Sequence, residues 1–138
     1  MIIVTEKALH PEQIISLAKS DGAGCVVTYV GLIRDMSQGK PVLSVEYADV
    51  AGNAKHQLEV IANEAGGMWH LENLAICHRI GKLNVGDINL VIAVATAHRS
   101  EGFEACQYVI DQFKQRLPTR KTETYRDGTT LVREISPG

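Results

Sequence analysis

Aromatic side chains are scarce, at 5% of the 138 residues, and they are not interleaved with the basic cluster near the C-terminus. A single-strand nucleic-acid surface stacks bases on such aromatics, so that function class is disfavoured. An excess of one charge sign is also missing, because 14 Lys and Arg against 16 Asp and Glu leave a net charge of −2. No global field then draws nucleic acid or anionic membrane, and any anion site has to be local. Only three cysteines occur, Cys25, Cys77 and Cys106, each alone in an apolar segment and without C-x-x-C spacing. That reads as reduced, buried core thiols of a cytoplasmic protein. No apolar leader follows Met1 and no apolar run reaches membrane length, so a cytoplasmic location without membrane partners is expected. The G-x-x-x-x-G-K-[ST] phosphate loop is absent, which argues against NTP hydrolysis. The histidines lack metal-ligand spacing and no Ser-His-Asp set is legible, so neither metal nor cofactor is expected.

What remains is an alternation of strand and helix signals in one domain, residues 1–138. Ile2–Val4 reads as a strand, followed by a helix opened by Pro11 with Ile14, Ile15, Leu17 and Ala18 inward. Gly24–Ile33 and Val42–Ala48 are rich in β-branched and aromatic residues and read as strands around a 37–41 loop. Ala54–Ala65 predicts a helix ended by Gly66-Gly67. Leu74–Ile80 and Ile88–Ala97 read as strands, with a turn at Asn84–Asp87. The second of these is apolar on both faces and is expected to be central and covered. Ser100 is the expected N-cap of a last helix that buries Phe103, Cys106, Ile110, Phe113 and Leu117 and stops at Pro118. Asp127-Gly128 then predicts a hairpin between Lys121–Arg126 and Thr129–Ile135. Antiparallel hairpins within the alternation argue for an α+β fold.

The chemistry-bearing residues are basic. His98 and Arg99 stand where a buried strand meets a helix start, a place that favours anions. Between Gln112 and Arg126 five basic residues (Lys114, Arg116, Arg120, Lys121 and Arg126) face one acid, Glu123. That exceeds what complementing a helix C-terminus requires. Lys114 borders the apolar stripe, where a lysine either snorkels or sits in a partly dry site suited to proton transfer. Arg34 closes the first long strand. His78-Arg79 interrupts another, each a candidate to face solvent at a strand end, with Arg79 the more natural ion-pair partner.

Together, Tyr29-Val30-Gly31-Leu32-Ile33-Arg34, the block His78-Arg79-Ile80-Gly81-Lys82-Leu83 with Gly86-Asp87, Ala97-His98-Arg99-Ser100, Phe103-Glu104-Ala105-Cys106 and Asp111-Gln112-Phe113-Lys114 resemble the catalytic large subunits of molybdopterin synthase. The resemblance spans roughly residues 24–123. It implies an α/β hammerhead with an additional antiparallel β subdomain, a homodimer, and a small ubiquitin-like subunit at each end, giving a heterotetramer. The small subunit's C-terminal thiocarboxylate would place two sulfurs on cyclic pyranopterin monophosphate, forming the dithiolene of molybdopterin. Carried over by motif, Leu32, Ile33, Arg34, His98, Arg99, Lys121, Thr122 and Glu123 would bind substrate, and Lys114 and Lys121 would be catalytic. Where the family reads proline, an apolar residue, tryptophan, lysine, lysine or arginine, and glutamate, this chain has Pro118-Thr119-Arg120-Lys121-Thr122-Glu123. A family arginine near the C-terminus has no secure counterpart, although Arg133 lies close by. These departures leave a second reading open, a non-catalytic paralogue that binds a ubiquitin-like tail or a pterin. An unrelated phosphate-binding enzyme is a third.

Overall fold

A computed structural model describes residues 1–135; the last three residues of the expected domain, 136–138, lie outside it. Strand β1 (Ile2–Thr5) leads to helix α1 (Pro11–Ala18), then β2 (Cys25–Leu32), the two-residue β3 (Met36–Ser37) and β4 (Lys40–Ala48). Helix α2 (Ala54–Met68) precedes β5 (Asn73–Arg79), β6 (Gly81–Asn84) and β7 (Ile88–Thr96). Helix α3 (Arg99–Gln115) and the hairpin β8 (Arg120–Tyr125) and β9 (Thr130–Arg133) complete the order.

Two sheets result. The first has the order β1-β5-β7-β2, with β1 parallel to β5 and the other pairs antiparallel. The second runs β3-β4-β8-β9, with β6 also pairing β4. Strand β7 is covered on both faces, as its apolar run from Leu90 to Ala95 requires. Val91 and Ala93 pack with Ile14 and Ala18 of α1 on one side. Leu90, Ile92 and Val94 join the main core with Leu58 and Ile61 of α2 and Val109 and Phe113 of α3 on the other. The expected α+β architecture, a hammerhead core with an added antiparallel β subdomain, is thus the one the chain adopts. Among the described residues no helix is long and apolar enough to cross a membrane.

Several local expectations are corrected. Leu17 points to solvent at 65% exposure, because α1 buries only the Ile14–Ala18 line. Gly66-Gly67 lie inside α2, which runs on to Met68 with the Trp69 amide bonded to the Ala65 carbonyl. Helix α3 is capped by extended His98 and not by Ser100, and no side chain caps it. Its buried line is Gly102, Ala105, Cys106, Val109 and Phe113, so Phe103, about 100° round the helix from Gly102, is 61% exposed. The 37–41 segment is largely the β3–β4 hairpin, and Cys25 is only partly buried. The Asp127-Gly128 hairpin forms as expected, with Gly128 at φ +87. Arg79 pairs with Asp87 at 3.8 Å, also as expected.

Candidate active site

Between the two sheets lies a cavity of about 480 Å³, walled by residues from β2, β3, β4, β7, α3, β8 and β9. Among the described residues Arg34, Lys114, Lys121 and Arg133 line it, against a single carboxylate, Glu123. This imbalance gives the cavity a positive local potential that the nearly neutral chain as a whole lacks. Among the described residues the Lys114 and Arg34 side chains pair with no carboxylate. Lys121 Nζ lies 3.6 Å from Glu123 Oε1, and Glu123 Oε2 accepts a hydrogen bond from the Tyr125 hydroxyl at 3.1 Å. Arg133, opposite Lys121 in the β8–β9 ladder, donates from Nη2 to the Lys114 carbonyl at the end of α3. It therefore holds the helix terminus while its guanidinium lines the cavity.

The floor is polar but uncharged. Asn89 Nδ2 donates to the Tyr47 hydroxyl at 3.0 Å, and burial pushes the Tyr47 phenol up to about 12, so it stays protonated. Gly31 leaves this floor open, because a Cβ there would stand 2.9 Å from Asn89 Oδ1 and 3.2 Å from the Tyr29 ring. Asn89 Oδ1 is buried without a hydrogen-bond partner among the described residues. Behind the floor sits His78, with no exposed surface. Its Nδ1 lies 3.0 Å from the Asn89 carbonyl oxygen and its Nε2 lies 2.9 Å from the Thr119 hydroxyl. A carbonyl only accepts, so Nδ1 carries the proton and Thr119 donates to Nε2. Burial pushes the imidazole down to about 4, which keeps it neutral. The expectation that His78 could face solvent is therefore overturned; the core closes over it.

Of the residues singled out by sequence, Leu32, Ile33, Arg34, Lys114, Lys121 and Glu123 meet in the cavity. Thr122 does not line it, because successive side chains of β8 point to opposite faces. His98 and Arg99 do not reach it either. They sit at the start of α3, and fifteen residues of helix separate Arg99 from Lys114 by about 22 Å. Of the other basic residues, Arg116 is tied to Glu64, with Nη1 at 3.1 Å, and Arg120 to Glu134 at 3.1 Å. Neither lines the cavity. Sequence reasoning missed Tyr47, Asn89 and Phe113 as wall residues, because each reads locally as strand or helix core. Among the described residues no three His, Cys, Asp or Glu side chains are grouped to hold a metal ion.

Residues 4–116 match the family model described as MoaE protein. The chain is 35% identical over 125 residues to the molybdopterin synthase catalytic subunit of Thermoplasma volcanium, covering 91% of each. It is 38% identical over 128 residues to that of a Nostoc species, covering 92% of this chain and 78% of the relative. The crystal structure of molybdopterin synthase from Staphylococcus aureus superposes with a TM-score of 0.87 at 27% identity, covering 95% of both chains. A Helicobacter pylori chain, described in a complex of subunits 1 and 2 of molybdopterin-converting factor, shares the fold at 16% identity with a TM-score of 0.74, covering 94% of this chain and 88% of that one. The chain belongs to the MoaE family, the catalytic subunits of molybdopterin synthase.

Proposed function

We propose that this enzyme converts cyclic pyranopterin monophosphate to the dithiolene of molybdopterin, taking sulfur from the C-terminal thiocarboxylate of a small ubiquitin-like subunit. The observation that carries the reading is the cavity itself, where four cationic side chains from four separate segments face one carboxylate over a polar floor. A cyclic phosphate that opens during reaction develops charge, and fixed cationic donors stabilise it without reorganising. Arg34 and Arg133 supply such donors. Lys114, exposed at the rim, meets the incoming tail and moves protons; Lys121, held beside Glu123, is the second candidate for that work. With Cys77 and Cys106 buried and pushed up by burial, and Cys25 half-buried against Thr96, the chain offers no evident sulfur carrier, and a separate thiocarboxylate meets that need. The assembly described for the Helicobacter pylori protein supports a small-subunit partner.

His98 and Arg99 join the site from a second copy in a homodimer. Their distance from Lys114 within one chain leaves that as the route by which all the motif residues serve one substrate. The test is a single turnover with thiocarboxylated small subunit and cyclic pyranopterin monophosphate, following the product as its fluorescent oxidised derivative. Dithiolene that forms with the thiocarboxylate and not with the carboxylate tail is the expected result. A stable complex that yields no product would instead favour the binding-only paralogue.

A further inference from the structure

Three of the four segments that deliver the cavity's cations are residues 32–34, the end of α3 and the start of β8. Something has to fix their spacing, because electrostatic stabilisation depends on donors held in place. The first segment is aimed by a bulge. Gly31 pairs with Leu90, but Leu32 pairs with Ile88, so Asn89 is an extra residue on β7 and the ladder is broken beside it. The second and third segments are joined by the connection 116–119, and Thr119 immediately precedes β8. One imidazole meets both irregular places. His78 Nδ1 donates to the Asn89 carbonyl at the bulge, and Nε2 accepts from the Thr119 hydroxyl at the connection. Its ring is also held edge-on by Tyr47 at 4.9 Å and by Phe113 at 5.0 Å, and Phe113 directly precedes Lys114.

We propose that His78 is a positioning residue of the site, tying the Asn89 bulge to Thr119 so that Arg34, Lys114 and Lys121 keep the spacing the reaction uses. The inference rests on the proposed function, in which those cations act on substrate. Thr119 turns its hydroxyl inward, fully buried, onto the imidazole. A histidine that merely fills the core would affect stability alone. One that sets spacing affects turnover in folded protein.

Thr119→Val keeps the shape and removes the donor, leaving Nε2 buried and unpaired. In protein that is folded by circular dichroism and still binds the small subunit, kcat is expected to fall about tenfold or more while KM rises no more than about fivefold. Thr119→Ser, which restores a hydroxyl, recovers most of the loss. A second measurement needs no turnover: the affinity for inorganic phosphate, read by calorimetric titration, should drop about fivefold in Thr119→Val and return in Thr119→Ser. Thr119→Val protein that melts earlier but keeps kcat and phosphate affinity within about twofold of the parent would overturn the proposal. Failure of Thr119→Ser to rescue would do so as well. If the unmodified enzyme binds phosphate without forming dithiolene, the proposed function fails, and the phosphate series still decides the role of His78.

Discussion

His78 is a base held where protonation is costly, and that makes it a source of pH-dependent stability. Burial pushes its pKa down to about 4 from an ordinary 6.5. Above pH 6.5 the ring is neutral whether the chain is folded or not, so it adds no slope. Between 6.5 and 4 the unfolded chain binds a proton that the folded chain refuses, so stability falls as the pH falls. The full loss across that window is about 3 kcal/mol. Urea unfolding at pH 7 and pH 5 should show the decline, and nitrogen NMR should show the neutral Nδ1–H tautomer persisting at pH 5.5. A charged ring at pH 5.5 would contradict the burial argument. None of this was legible locally, because His78-Arg79 reads as a polar pair at a strand end. Only the meeting of β5 with Asn89, Thr119, Tyr47 and Phe113 makes the site dry.

At the scale of elements, α3 approaches the first sheet so closely that Gly102 has no room for a side chain. A Cβ there would lie 2.9 Å from both Thr96 Oγ1 and Val27 Cγ2. Gly102→Ala is therefore expected to destabilise the fold by about 1–3 kcal/mol through overpacking, despite the better helix propensity of alanine. Phe103→Ala, one residue on, should cost no more than about 0.5 kcal/mol because that ring faces solvent. Chemical denaturation of the two variants separates the helix phase seen here from one that buries Phe103. Strand and helix identity followed from periodicity because β7, α2 and α3 are long and patterned. Gly102 was unreadable because a glycine gives no apolar signal on the face where the helix backbone meets the Thr96 and Val27 side chains, and the phase then locked onto Phe103. Strands β3 and β6 are too short to show a period, and pairing with β4 creates them. In β8 the alternation is what separates Lys121 and Glu123 from Thr122, so the strand, more than the motif, selects which residues face the cavity.

For the whole molecule, the cationic part of the site was legible and its floor was not. Arg34, Lys114 and Lys121 announce themselves as charges beside apolar runs, whereas Tyr47 and Asn89 become neighbours only when the second sheet folds against the first. Arg133 stood near the place of a family arginine, and the β8–β9 register is what sets it beside Lys121. His98 and Arg99 lie at the far end of α3, and in the proposed function they serve the site from a second chain. Mixing Arg99→Ala with Lys114→Ala protein, each inactive alone, should then restore about a quarter of the parental turnover after random exchange, since half the dimers carry one intact site of two. No recovery, with subunit exchange verified by mass, would rule out a site that Arg99 and Lys114 share across two chains. The most direct test of the central claim is single turnover by Lys114→Ala in stable complex with thiocarboxylated small subunit. Lys114 is exposed at the cavity rim, so the fold should be unaffected. The account predicts that no dithiolene accumulates on the timescale of the parental reaction; product at a near-parental rate would contradict it.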